Sequence, residues 1–121
     1  MPTFLISPPS ETEWRMGEDD FEQRLRSRWP DADVRRHDDP ERTYGLEFTL
    51  RDDGPPVIGG LEREGWTVFV EGEPEQAARI ARWFRDQVPP EQPLLFYDQE
   101  YSAQVELGAD TQVEELAAPF G

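Results

Sequence analysis

The chain has 121 residues, with 27 Asp and Glu against 12 cationic side chains and a formal net charge of -15. That length suits one domain over residues 1–121, with a folded surface of roughly 6,700 Å². An acid excess of this size speaks against nucleic acid, whose phosphates need a surplus of cations, and against an anionic membrane surface.

Thr3 to Ser7 is a short apolar run stopped by Pro8-Pro9 and predicts a first strand. Ser10-Glu11-Thr12-Glu13 has the form of a capping box, but Gly17 follows too soon for a long helix. Phe21, Leu25 and Trp29 recur every four residues, and the acid-before-base pairs Asp20–Arg24 and Glu22–Arg26 accompany them, so a helix is predicted from about Asp19 to Arg28. Pro30 ends it. Asp31 to Arg42 reads as a charged connector without periodicity.

Tyr44, Leu46, Phe48 and Leu50 alternate with Gly45, Glu47, Thr49 and Arg51, the pattern of a strand wet on one face. Asp52 to Pro56 reads as a turn. Val57–Glu62 and Trp66–Glu71 form a hairpin around Gly65, and Gly59-Gly60 marks a bulge or a close backbone approach. Pro74 opens a second helix whose stripe is Ala77, Ile80, Ala81, Phe84 and Val88, ended by Pro89-Pro90. Leu94 to Tyr97 predicts a buried strand. Tyr101, Ala103, Val105 and Leu107 predict another, and Thr111 to Glu114 a capping box for a short last helix.

The expected fold is therefore α+β: a two-layer sandwich, mainly antiparallel, with two helices on one sheet face and a ferredoxin-like variant as one form of it. The open face and the unpaired sheet edges are candidate binding surfaces.

Cys, Lys and Asn are absent, which removes disulfides, thiolate nucleophiles, Cys-based metal sites, lysine chemistry and N-glycosylation. No cofactor and no metal are expected. The apolar runs are too short for a membrane span, and the start Met1-Pro2-Thr3-Phe4 lacks a signal-peptide pattern, so a cytoplasmic location is expected. His37, beside Asp38, reads as an exposed loop histidine rather than a general base. Asp31, Asp33, Asp38 and Asp39 lack the order of a calcium loop. Gly54 to Leu61 lacks a phosphate-loop fingerprint. Trp29 and Trp66 read as core cover, and Trp83 as a border residue of the second helix.

The sign of the charge is uneven. Arg24, Arg26, Arg28, Arg35 and Arg36 crowd one segment, whereas no cation follows Arg85, although Asp86, Glu91, Asp98, Glu100, Glu106, Asp110, Glu114 and Glu115 do. Within that stretch Tyr97, Asp98, Glu100 and Tyr101 combine aromatic contact area with acids. With Glu106, and with Trp14 as an aromatic among charges, they are the candidate protein-binding residues. For Tyr101 the alternative is a core-facing position, and for Trp14 a lid on the sheet.

The leading expectation is a non-enzymatic acidic binding protein that docks onto and neutralises a basic partner, in the manner of an immunity or inhibitor protein against a toxin. A small-molecule or enzymatic domain is the alternative, signalled by Arg42, Tyr44, Glu47 and Arg51 lining a deep cleft. A structural accessory protein is the third reading, and a homodimer is compatible with either of the first two. The leading expectation requires the late carboxylates to gather on one side of the folded body.

Overall fold

A computed structural model describes residues 2–51 and 54–120. Its elements are β1 (Thr3–Ser7), α1 (Glu18–Arg28), β2 (Asp33–Arg36), β3 (Tyr44–Leu50), β4 (Val57–Glu62), β5 (Val68–Glu71), α2 (Pro74–Gln87), β6 (Leu95–Asp98), β7 (Gln104–Glu106) and α3 (Val113–Ala117), followed by a 3-10 turn, Ala118–Phe120. The strands make one sheet in the order β2-β3-β4-β5-β1-β6-β7, and each pairing is antiparallel. The class is α+β, as the alternating strand and helix patterns imply.

β1 lies between β5, the last strand of the β2–β5 meander, and β6, the first strand after α2. This is the split β-α-β connectivity. A four-stranded meander replaces the hairpin of the ferredoxin-like pattern, and β7 is added at the edge.

One face of the sheet is apolar. Phe4, Ile6, Leu46, Phe48, Leu61, Val68, Val70 and Phe96 are buried on it. Phe21 of α1 meets Phe48 at 5.9 Å between ring centroids and Phe84 of α2 at 6.2 Å. Trp29 and Trp83 join the two helices at 5.3 Å. Beyond α2, Leu116 of α3 is buried, and Phe120 stands edge-on to Phe4 and Phe96 at 5.2 and 5.5 Å. The folded surface, 6823 Å², agrees with the area expected for a compact chain of this size.

Several expectations change. The connector Asp31–Arg42 contains a strand, β2, while the short last helix expected after Thr111 is present as α3. Ser10–Glu13 opens no helix. Trp66 precedes β5 rather than starting it, and Arg15 stacks over its ring at 4.6 Å, so it covers no core. Thr111 does not cap α3: its hydroxyl accepts the Gly108 N–H at 2.8 Å and closes the preceding turn, while Gln112 holds the cap position. His37 is half-buried, because its N–H donates to the Gly45 carbonyl at 2.9 Å and extends the β2–β3 pairing. In the expected turn after β3, Asp52 and Asp53 lie outside the described residues.

Gly59 and Gly60 belong to a regular part of β4, and the register shift sits instead between Tyr44 and Leu46. Each glycine lies opposite a phenylalanine: Gly59 opposite Phe48, Gly60 opposite Phe69. A β-carbon at either position would run into that ring, and at Gly60 would also come within 2.8 Å of the Leu46 carbonyl oxygen. The pair therefore lets one aromatic ring lie flat on each face of the sheet.

Arg85 is 4% exposed. Its guanidinium donates to the carbonyls of Gln92 (2.8 Å), Leu107 (3.2 Å), Val88 and Pro89, tying the α2–β6 loop to the end of β7. Burial pushes its pKa below the usual arginine value, with neighbouring Arg82 adding to the effect.

Candidate functional site

The other face of the sheet carries no helix among the described residues. Side chains alternate across a strand, so cross-strand register sets what this face presents. One row crosses all seven strands: Arg35, Glu47, Gly60, Phe69, Leu5, Tyr97 and Gln104. Its centre, Phe69–Leu5–Tyr97, is apolar and half-buried. Tyr44 extends the stripe, its ring 4.8 Å from that of Phe69, and Leu95 and the exposed Ile58 flank it.

Carboxylates rim this stripe. Asp33, Glu47, Glu62, Glu71 and Glu106 share the outward parity, against Arg35 as the strand cation of the same parity. Glu47 is answered locally by Arg42 at 3.5 Å and by His37 Nε2 at 3.0 Å, the latter at ion-pair distance without hydrogen-bond alignment. Glu62 is pushed up to about 7 by burial first, and then by its hydrogen bond with the Glu64 carboxyl.

At the β6–β7 end the stripe rises into a turn. Tyr101 has a left-handed backbone (φ 57°) and is 73% exposed. Its ring stacks on Tyr97 at 5.4 Å with 12° between the planes. The Tyr97 hydroxyl in turn lies 2.9 Å from Ser7 Oγ. Asp98 accepts the Ser102 N–H at 2.8 Å and also the Ser102 hydroxyl, and these bonds hold its carboxyl below the usual aspartate range. Tyr101 N–H donates to the Asp98 carbonyl at 3.0 Å. Beside β7 a groove of about 450 Å³ is lined by Pro9, Glu91, Pro93, Leu95 and Glu106, among others.

The structure thus brings Tyr97, Asp98, Tyr101 and the exposed Glu100 into one turn, with Glu106 on the adjoining strand. Tyr101 does not face the core: β7 starts only at Gln104. Trp14 stands apart, half-buried on the helix side with its ring 6.3 Å from Phe84. Phe69, Leu5 and Tyr44 were missed as surface residues. Their signal was the unbroken apolar character of Thr3–Ser7 and Val68–Val70, which leaves apolar side chains on both faces of the central strands.

The late carboxylates are carried by α2, β6, β7, α3 and the loops between them, and they divide between the two faces of the sheet instead of gathering on one side as expected. Glu106 is on the open face, whereas Glu114 lines a groove with Glu73 and Glu75 between α3 and α2. Among the described residues only Asp86 of the eight has a cation within ion-pair range, Arg82 at 3.2 Å. At the opposite edge, Arg36 of β2 binds Glu18, Asp19 and Glu22 of α1 at 2.8–3.5 Å.

The expected marker of a ligand cleft is not assembled: Arg42 and Glu47 meet, but Arg51 follows the far end of β3, about 23 Å from Tyr44 at strand spacing. Among the described residues no three His, Asp or Glu side chains group to hold a metal ion, and no helix is long and apolar enough to cross a membrane. Comparison with known protein families, with curated proteins and with solved structures finds no match.

Proposed function

We propose that this chain is a non-enzymatic binding protein whose open sheet face docks onto a basic protein and neutralises it, as an immunity or inhibitor protein neutralises a cationic toxin. The observation that carries the reading is the composition of that face. An apolar stripe of Phe69, Leu5, Tyr97 and Tyr44 supplies area to desolvate, and the carboxylates around it supply complementarity to cations. Its own charge opposes self-association, since a two-fold dimer through this face would set one carboxylate-rimmed surface against another. A chain without cysteine suits a reducing compartment, and the proposed site of action is the cytoplasm.

The test uses the intact protein and a double variant, Glu71→Lys with Glu106→Lys, as paired baits in lysate of the source organism. A basic protein retained by the parent and lost from the variant, with an association rate that falls steeply as salt rises, is the expected result. Recovery of copies of the chain alone, or of a partner indifferent to both the variant and salt, overturns it.

A further inference from the structure

We propose that the β6–β7 turn is an arginine clamp: one guanidinium of the basic partner stacks on the free face of Tyr101 while Glu100 or Glu106 pairs with its charge. The inference rests on the docking reading above and names the side chain that the turn receives.

Tyr101 is the only large aromatic among the described residues that is mostly exposed. Stacking at 12° on Tyr97 covers one face of its ring and leaves the other open to a planar group. Holding a bulky residue at φ 57° is unfavourable relative to an extended backbone. Asp98 maintains that conformation by gripping Ser102, and the Tyr97 hydroxyl, beside Ser7 Oγ, fixes the underlying ring. An exposed aromatic held in place by Asp98, Ser102, Tyr97 and Ser7 is preorganised, and preorganisation lowers the entropy lost on binding.

The surroundings choose the ligand. No cation lies within ion-pair distance of Glu100 or Glu106 among the described residues, so the local field is negative and a stacked nucleobase would carry its phosphate into repulsion. A guanidinium is planar, weakly hydrated and able to meet a carboxylate while lying on a ring; an ammonium is a strongly hydrated point charge. The same geometry recurs within the chain, where Arg15 lies over Trp66 at 4.6 Å and Arg28 over Trp29 at 4.7 Å.

The test titrates the protein with an oligo-arginine and an oligo-lysine nonapeptide at low ionic strength, by calorimetry and by amide chemical shifts. The parent is expected to favour the arginine peptide by about five-fold, with shifts centred on residues 97–106. Tyr101→Phe keeps that preference and Tyr101→Ala abolishes it, each with an unchanged far-ultraviolet spectrum. Equal binding of both peptides across the open face, or a preference that survives Tyr101→Ala, overturns the clamp and leaves the docking reading standing. Binding of neither peptide overturns both.

Discussion

Glu62 shows how a single carboxyl on the open face sets a pH dependence. Its pKa rises from 4.5 to about 7 in the folded protein because burial, and then Glu64, disfavour the charged form. The folded state therefore holds a proton that the unfolded chain has released, and stability falls as pH rises from about 4.5 to 7. The side chain is half exposed, so after solvent screening the effect is about 1 kcal/mol. Glu62→Gln should be about that much more stable than the parent at pH 8 and indistinguishable from it near pH 4.5, read from urea midpoints. At Gly60, alanine should cost about 1–3 kcal/mol, since its β-carbon displaces the Phe69 ring. It should also weaken partner binding, whereas Gly59→Ala, on the Phe48 side, should cost stability with little further loss of affinity. Arg85→Met should be the most damaging of these, about 3 kcal/mol or more in denaturant melts, because several carbonyls lose their donor inside the protein.

Among the elements, the β6–β7 turn separates stability from binding. Tyr101→Gly removes the left-handed strain together with the ring stack, so unfolding free energy should stay within about 1 kcal/mol of the parent. Partner affinity should nevertheless drop by about ten-fold or more, which surface plasmon resonance would read. This turn also marks where the sequence stops being legible. Tyr101, Ala103, Val105 and Leu107 keep a period of two, yet the first of them belongs to the turn, because backbone handedness leaves no trace in hydrophobic alternation. β2 was hidden for a different reason. Its inward residues are Val34 and Arg36, and the second is satisfied by α1 acids rather than by apolar packing, so the strand looks like a charged connector. By contrast, α2 and the β4–β5 hairpin were plain in the chain. The first repeats Ala77, Ile80, Ala81 and Phe84 at helical spacing, and the second turns on Gly65, whose φ is 80°. For the candidate site, the aromatic and acidic residues of the turn were visible, but their joining to Phe69, Leu5 and Tyr44 depends on register across five strands.

At the scale of the whole molecule, the net charge of -15 has a cost and a use. Self-repulsion weakens the compact state, so raising sodium chloride from about 20 to 500 mM should raise the melting temperature by several degrees in a thermal scan. The same change should slow association with a basic partner. Strand order adds something that total charge does not. The sheet begins at β2, beside the arginines of α1, and ends at β7 and the cation-poor last third, about 29 Å away across six strand spacings. Opposite ends of unlike character give the molecule an electric dipole along the sheet as well as a monopole. In the field of an approaching cationic body that dipole feels a torque, which turns the β7 end forward before the surfaces meet. A larger share of collisions then arrives with the tyrosine turn leading, and exchanging arginines of the β2 edge with helix-side acids of the last third, at an unchanged net charge of -15, should lower the on-rate without touching a single contact residue.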